Sequence, residues 1–205
     1  NEAQNKLMKY MEDLKQSNNL LNRRVNELTI LYNVSQAVNQ TDDLDELMVM
    51  IMEYILKGVN SEKGSLMLID EESGSLVLRV YKDEYIVEQT QHPTLFKVGE
   101  GIAGIVAQTG KPVIANKGHK DPRFLLRKNE RADYEVKNIL CVPMVINDKI
   151  IGVVNITNKR HGRDFDEDDL DLLSSLATQL AIIIDKARLH ELAIIDGLTQ
   201  LYIHR

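Results

Sequence analysis

Apolar residues in the first 40 positions follow the heptad pattern of a paired helix. The segment contains no Gly and no Pro, which favours one long helix. With Asn18 included, the spacing alternates between four and three along Leu7, Met11, Leu14, Leu21, Val25, Leu28 and Tyr32. Asn18 falls at heptad position a, where a single Asn costs stability but specifies a parallel two-stranded pairing. An amphipathic helix that lies on its own domain is the alternative.

The following segments predict a helix and then a hairpin. Residues 41–56 have helical spacing, with Thr41 or Asp42 as the N-cap and Gly58 as the stop. At residues 64–82 the apolar period changes to two, which is typical of strands. We therefore expect an antiparallel hairpin after the second helix.

Glycine and proline mark the middle of the chain. An extended piece at 94–98 leads into a short helix that Gly110 ends, and Pro112 opens a short strand. Residues 116–137 are polar and have no clear period. A loop of this length is typical of a lid, a binding segment or a disordered region.

The C-terminal part predicts a second hairpin and a long helix. Apolar strands at 138–147 and 149–158 are joined by a tight turn. The last helix begins near Asp166 and runs to about Ile195. Because the strands are joined mainly by hairpins, we predict an α+β fold. Its antiparallel sheet would be covered by helices on one face and free to hold a ligand under loops on the other, with long helices at both termini.

Charge and composition restrict the class of protein. The 31 acidic and 25 basic side chains give a net charge of −6, which argues against a nucleic-acid partner. No apolar run approaches the ~20 residues that span a bilayer, so no membrane segment is expected. Cys141 is the sole cysteine, which fits a reducing, cytoplasmic compartment. Because the first residue is Asn1, we expect a piece of a longer protein.

Motifs for several common chemistries are missing from the sequence. The five histidines are far apart and no second cysteine exists, so we predict no metal site. Gly99, Gly101 and Gly104 lack one residue of the dinucleotide-binding spacing. No Gly-x-Ser-x-Gly sequence occurs. We therefore predict no catalytic residues in this chain.

Five segments in a fixed order resemble the GAF domain family. They cover about residues 30–190 and comprise KGSLMLIDEESGSL, VGEGIAGIVAQTGKPVIAN, DPRF, NILCVPMVINDKIIGVVNITNK and DFDEDDLDLLSSLATQLAIIIDKARL. Members of the family are small-molecule sensor or dimerisation modules. The resemblance therefore implies an antiparallel sheet of about six strands, with a pocket between the sheet and the loops on its distal face.

By analogy with that fold, nine residues would line the pocket. A cation on a strand, such as Arg79, would bind a phosphate or a carboxylate, although a solvent-facing Arg79 is the alternative. Cys141 is expected to be a buried, unreactive thiol. No cofactor is expected in this chain beyond an unidentified small-molecule ligand. The nine positions are Ser65, Met67, Arg79, Asn116, Asp121, Phe124, Asn138, Cys141 and Asn155.

The segment NKRHGRDFDEDDL resembles a signature of GAF domains that bind cyclic nucleotides. Asn158, Lys159, Phe165 and Asp169 match it, whereas Leu170 stands where the signature ends in Glu. In the family the Lys and the Asp are thought to lock a loop by ion pairing. We therefore expect these four residues to be structural rather than to contact a ligand.

The last ten residues, DGLTQLYIHR, resemble the opening signature of GGDEF domains. Gln200 replaces a frequent Gly, and the matching positions are Asp196, Leu198, Thr199, Leu201 and Arg205. That family joins two GTP molecules into cyclic di-GMP with Mg²⁺, using a Gly-Gly-Asp/Glu-Glu-Phe hairpin that this chain lacks. The resemblance implies that GTP and Mg²⁺ belong to an output domain beyond residue 205.

The predicted organisation has three parts. Residues 1–40 would form a coiled-coil signalling helix, 41–190 the sensor domain, and 191–205 a linker with the start of a GGDEF domain. We predict a regulatory module of a bacterial diguanylate cyclase. The alternatives are a ligand-free structural dimerisation module and a module that controls a different output domain. A homodimer is expected through both terminal helices, at Leu14, Asn18, Leu21, Val25, Leu28, Leu173, Leu180 and Ile184.

Overall fold

The computed structural model describes residues 2–37, 41, 43–82, 87–89, 95–125 and 135–200. The helices are α1 (Glu2–Ala37), α2 (Leu44–Val59), α3 (Gly101–Thr109) and α4 (Glu167–Gln200). The strands are β1 (Ser61–Ile69), β2 (Leu76–Lys82), β3 (Val87–Gln89), β4 (Leu95–Phe96), β5 (Val113–Ala115), β6 (Ile139–Ile146) and β7 (Lys149–Lys159). Short 3-10 turns occupy Gly118–Lys120 and Arg160–Gly162.

The strands form one antiparallel sheet. Its order is β3-β2-β1-β7-β6-β5, and β4 pairs with β2 beside this path. The two predicted hairpins are present as β1–β2 and β6–β7, the latter with positive φ at Asn147 and Asp148 in its turn. The predicted α+β fold is therefore confirmed.

One face of the sheet is covered by α2, α4 and the end of α1, and we call the apolar interior there the proximal core. Ile51 and Ile55 of α2, Leu66 of β1 and Leu176 of α4 lie in it with almost no exposed surface. Strand residues alternate between the two faces of a sheet. The even-numbered residues of β1 therefore serve this core, and the odd-numbered ones point away from it.

The start of α2 differs by one or two residues from the prediction. Asp43 is the N-cap, and its carboxylate accepts hydrogen bonds from the N–H groups of Asp45 (2.8 Å) and Glu46 (3.2 Å). Thr41 instead accepts a hydrogen bond from the N–H of Asp43 at 3.1 Å. Asp42 lies outside the described residues.

The opposite face, here called the distal face, is partly covered by α3. The helix α3 packs over β6 and β7, where Ile102, Val106 and Ala107 join Cys141 and Val153 in a second apolar cluster. We call this the distal cluster. Packing of α3 on the sheet removes its apolar side from water.

Three residues predicted for the dimer contact lie inside the domain instead. Leu173, Leu180 and Ile184 of α4 have no exposed surface and belong to the proximal core. They cannot contact a second copy, so this part of the prediction is wrong. The reason is that α4 lies directly on β6, and its apolar stripe is needed to cover the sheet.

Candidate ligand site on the distal face

A row of three side chains crosses the centre of the distal face. Asn155 of β7 pairs with Ser65 of β1 on one side and with Cys141 of β6 on the other. Met67 of β1 and Val153 of β7 form the adjacent row. The strand register therefore brings together four of the nine predicted site residues: Ser65, Met67, Cys141 and Asn155.

Asn155 carries the unusual feature of this row. Its Oδ1 atom is buried and has no hydrogen-bond partner among the residues that the structure describes. A buried oxygen without a donor costs roughly 1–3 kcal/mol. A ligand or a water molecule that donates a hydrogen bond here would remove this cost.

Cys141 offers no reactive group to the site. It is fully buried in the distal cluster, and burial raises the pKa of its thiol. The thiolate is the reactive form of cysteine, so this thiol is inert in the folded protein. Cys141 therefore contributes apolar surface under α3, where Ile102 and Val106 lie above it.

The loop at the edge of the distal face is held by Asp121. Its carboxylate accepts hydrogen bonds from the backbone N–H of Arg123 (2.9 Å) and from the guanidinium, at Nε (2.9 Å) and Nη2 (2.8 Å). These bonds hold the pKa of Asp121 at about 2, below its usual 3.8. Phe124 then packs against the distal cluster. Asp121 thus positions this loop through Arg123, and its carboxylate is already hydrogen-bonded to that residue.

Two glycines fix the loops around the site. A Cβ on Gly104 of α3 would lie 2.4 Å from the carbonyl oxygen of Lys97, and one on Gly118 would lie 1.9 Å from that of Val136. Gly118 also has a φ of +50°. Both glycines therefore allow close backbone contacts, and Gly104 has this structural role within the glycine-rich segment.

Asn116 and Asn138, two further predicted site residues, bind backbone instead. Asn116 of the loop after β5 donates to the carbonyl of Phe165 (2.9 Å) and accepts from its N–H (3.0 Å). Asn138 is buried, donates to the carbonyl of Arg163 (2.8 Å) and accepts from the N–H of Lys159 (2.8 Å). Both amides join strand ends to the segment before α4. In each, the NH2 group and the carbonyl oxygen are already hydrogen-bonded to backbone groups.

The four signature residues form a connected structural cluster. The amide of Asn158 is buried, accepts from the N–H of Lys137 (2.9 Å), and donates to Glu62 (3.1 Å) and to the carbonyl of Glu135 (3.1 Å). Lys159 forms an ion pair with Asp169 and lies 5.9 Å from the ring centroid of the buried Phe165.

The Lys159–Asp169 pair is largely shielded from water. The two side chains are 11% and 13% exposed. Burial raises the pKa of Asp169, while the Lys159 ammonium and the N–H of Asp166 act against that rise. The pair joins the end of β7 to the first turn of α4. This arrangement holds the start of the long helix against the sheet.

Arg79 is not brought to the distal face. Its guanidinium forms a 2.6 Å ion pair with Asp45, in the first turn of α2 on the proximal side. The reason is a bulge in the β1–β2 pairing, where Leu66 opposes Val80 but Met67 opposes Leu78. Arg79 is the extra residue, and a bulge re-aims the side chains around it.

Sequence reasoning missed the residues that cover the site. Ile102 and Val106 of α3 and Val136 lie in the distal cluster, and Tyr81 of β2 pairs with Ser65. The spacing of four between Ile102 and Val106 in a short helix was the available signal. Which residues lie opposite each other on neighbouring strands, such as Tyr81 and Ser65, depends on the strand register, and the sequence carries no local signal for it.

Two other features are absent from the described part of the chain. No group of three or more His, Cys, Asp or Glu side chains is placed to hold a metal ion within those residues. Among the described helices, none is long and apolar enough to cross a bilayer.

Comparison with solved structures agrees with this architecture. The GAF domain of a phosphoenolpyruvate-protein phosphotransferase (ptsP) from Coxiella burnetii has a TM-score of 0.68 and 21% identity, and the match covers 82% of this chain and 97% of that one. The equivalent domain from Acinetobacter has a TM-score of 0.67 and 25% identity, covering 78% and 93%. These similarities show the fold.

Sequence relatives include proteins with different names and organisms of origin. The probable 3',5'-cyclic phosphodiesterase pde-5 of Caenorhabditis elegans is 29% identical over 72% of this chain and 21% of its own length. Nitrogen fixation protein AnfA of Azotobacter vinelandii is 26% identical over 79% of this chain and 30% of its own length. The chain thus spans less than a third of these relatives. The GAF domain model matches residues 41–185, and the chain therefore belongs to the GAF domain family.

Proposed function

We propose that this chain is a regulatory sensor module that binds a small molecule on its distal face and controls an attached output domain. The observation that carries this proposal is the placement of Asn155 and its neighbours. On β7, Asn155 faces the distal site, whereas Val154 and Ile156 lie in the proximal core with α4. A ligand that moves β7 would therefore move residues that pack against the helix side.

The connection to an output domain would run through α4. Its backbone is helical from Glu167 to Gln200, 34 residues in all, which corresponds to about 51 Å. The helix begins in the proximal core and reaches the segment that resembles the opening of a GGDEF domain. A continuous helix transmits a shift or rotation between two packings better than a flexible linker does.

We propose a diguanylate cyclase as that output, on the strength of Asp196, Leu198 and Thr199. Residues 201–205, which carry the rest of the resemblance, lie outside the described residues. In this proposal GTP and Mg²⁺ bind only in the output domain, and the present chain contributes no catalytic group. The cyclase joins two GTP molecules, so holding two output domains close together would supply much of the rate.

A different output domain is the first alternative. Relatives of this chain are named as a cyclic phosphodiesterase and as a nitrogen fixation protein, so this type of domain occurs beside more than one kind of partner domain. A ligand-free structural module is the second. The apolar side chains of the distal cluster, such as Met67 and Ile102, favour it because they already fill part of the face.

The output proposal is tested on the parent protein. A Gly-Gly-Asp/Glu-Glu-Phe sequence on the order of 80 residues beyond Arg205, and Mg²⁺-dependent conversion of GTP to cyclic di-GMP, are the expected findings. A parent protein that contains a different catalytic domain would exclude the cyclase and leave the sensor proposal standing.

The sensor proposal is tested on this chain by thermal unfolding with cyclic AMP, cyclic GMP and small metabolites. A ligand at 100 times its Kd adds about 2.7 kcal/mol of stability. The same ligand should give no shift with Asn155→Leu, which removes the unpaired oxygen. If every compound leaves the unfolding temperature unchanged, the ligand-free alternative is favoured.

A further inference from the structure

We infer that the ligand of the distal face is an uncharged molecule with a carboxamide or lactam group, in which an N–H donor lies next to a C=O acceptor. This inference rests on the proposed sensor function and names the chemical class of its ligand. The groups that select this class are the amide of Asn155 on β7 and the hydroxyl of Ser65 on β1.

The first observation is that two neighbouring polar side chains have no hydrogen bonds of their own. Ser65 and Asn155 lie directly opposite each other in the β1–β7 pairing, where Cβ atoms are about 5 Å apart. Neither side chain forms a hydrogen bond within the part of the chain that the structure describes. Ser65 is 6% exposed, and Asn155 is more exposed as a whole although its Oδ1 atom is buried. One small polar group that enters beside Asn155 can therefore reach both side chains.

Two other asparagines near the same strands provide a comparison. Asn138 and Asn158 are buried, and each hydrogen-bonds both its carbonyl oxygen and its NH2 group to other groups of the chain. A folded protein pairs most of its buried polar atoms in this way. The unpaired amide of Asn155 therefore indicates a group that binds a molecule from outside the chain.

The amide of Asn155 determines which chemical group fits. Its Oδ1 atom requires a hydrogen-bond donor, and its NH2 group requires an acceptor. A carboxylate offers acceptors but no donor, so Oδ1 would stay unpaired beside a negative charge. An ammonium group offers donors but no acceptor for the NH2 group. A carboxamide or lactam offers both on one edge, so it pairs with Asn155 through two hydrogen bonds while Ser65 donates to the same carbonyl oxygen.

The charges around this row also favour an uncharged ligand. Arg79, which the sequence suggested as the partner of an anion, pairs with Asp45 on the proximal side. Lys63 is the one cation of β1, and it lies one row away from Ser65, opposite Thr157. An anionic group placed between Ser65 and Asn155 would therefore have no cation in its own row on either strand.

Burial shows from which side the ligand would approach. Met67 and Val153, which form one adjacent row, have at most 3% exposed surface. Tyr81, opposite Ser65 on β2, is partly exposed. The ligand would therefore place its amide at Asn155 and extend towards Tyr81, where an aromatic ring offers a flat apolar surface.

Three probes of the same shape test the chemical class: benzamide, benzoate and benzamidine. Their head groups are an amide, an anion and a cation. Titrations of the 205-residue chain are followed by ¹⁵N NMR, in which the side-chain NH2 signal of Asn155 is assigned by its loss in Asn155→Leu. Benzamide should shift this signal and bind about tenfold more tightly than either charged probe, since each of those leaves one group of the Asn155 amide unpaired. A titration with 2-pyridone, which carries the same edge in a ring, distinguishes a lactam from an open amide.

Exchange of single residues should change the preference in a defined way. Asn155→Asp replaces the NH2 donor with an acceptor and adds a negative charge, so benzamidine should become the tightest of the three probes. Asn155→Leu should lose the binding of benzamide, and it serves as the test if the buried charge of Asn155→Asp prevents folding. Ser65→Ala should weaken benzamide on the order of fivefold. Asn147→Asp, the same change in the exposed turn between β6 and β7, is the matched control and should leave all three affinities unchanged.

The outcomes that overturn this inference are distinct from a failure of the sensor proposal. Benzoate as the tightest probe, with its binding lost in Lys63→Met, would show an anion site, so the amide class would fail and the sensor proposal would stand. Binding of benzamide that persists in Asn155→Leu would place the ligand elsewhere and overturn the role of this row. If neither these probes nor the compounds of the wider thermal screen bind, the amide class and the sensor function both fail.

Discussion

Three asparagines in or next to the paired strands β6 and β7 have different roles in this domain. Asn138 and Asn158 satisfy their buried amides with backbone groups at residues 135, 137, 159 and 163 and with Glu62. Asn155, three residues before Asn158, leaves its Oδ1 unpaired among the described residues. The first two hold loops in place, and the third is the better candidate for ligand contact.

Replacing Asn155 by Leu tests whether its oxygen is unpaired in the ligand-free protein. The free energy of unfolding should stay the same or rise by about 1 kcal/mol, because an unsatisfied buried oxygen is removed at similar volume. Urea unfolding measures this change. Asn138→Leu is the contrasting variant and should lose stability, since it leaves the carbonyl of Arg163 and the N–H of Lys159 without partners. A loss of 2 kcal/mol or more for Asn155→Leu would show that its amide makes a stabilising bond.

Asp121 makes stability depend on pH in a defined window. Its pKa in the folded protein is about 2, against a usual value of 3.8, so the folded state favours the carboxylate. This contribution is complete above about pH 4 and is lost as the pH falls towards 2. Asp121→Asn should therefore be less stable than the native protein at pH 5, and the difference should shrink between pH 4 and 2.

Urea unfolding across this pH range measures the difference for Asp121→Asn. The exposed Asp171→Asn is the control for removing a negative charge. A gap between native protein and Asp121→Asn that stays constant down to pH 2 would contradict the assigned role of the Arg123 contact.

At the scale of elements, α4 illustrates what periodicity predicts well. In the sequence, its apolar stripe predicted a helix, and its acidic first turn predicted where that helix starts. Asp166 and Asp169 accept hydrogen bonds from each other's backbone N–H at 3.0 Å, as in a capping box. The pattern did not show whether this stripe covers the sheet or contacts a second copy of the chain. Either arrangement would bury the same apolar face.

The ion pair at the start of α4 gives a prediction for that element. Lys159→Met leaves Asp169 buried without its cation and should cost about 3 kcal/mol of unfolding free energy. The double variant Lys159→Met with Asp169→Asn should recover much of this loss, since Asn still accepts from the N–H of Asp166. Chemical denaturation measures both. Equal destabilisation of the single and double variants would refute a contribution from the unpaired charge.

The bulge in β2 shows where an element-level prediction fails. Analogy with the fold placed Arg79 among the pocket residues, but it is the extra residue of the bulge and pairs with Asp45 on the proximal side. Neither Gly nor any other signal in LVLRVYK marks the bulge. The Arg79–Asp45 contact joins residues 34 positions apart, so it becomes visible only when α2 is placed on the sheet.

At the scale of the whole molecule, α1 should divide into two independent parts. Deleting residues 1–25 removes side chains that are exposed wherever the structure describes them, and it should leave the unfolding temperature nearly unchanged at low protein concentration. Deleting residues 1–37 also removes Ile30, Val34 and Ala37 from the proximal core. At roughly 1.5 kcal/mol or more for each large apolar side chain, it should lower that temperature by about 10 °C. Calorimetry on both deletions is the measurement, and equal effects would show that α1 does not dock as described.

The sequence by itself determined the element types, the two hairpins, the α+β class and the heptad face of α1, because each is written in local spacing and turn residues. It also indicated the family through the order of five segments. The tertiary structure alone decided which face each side chain serves. Strand register placed Ser65, Asn155 and Cys141 in one row, a bulge turned Arg79 to α2, and packing drew Leu173, Leu180 and Ile184 into the core. These outcomes depend on contacts between residues far apart in the chain, for which local patterns carry no information.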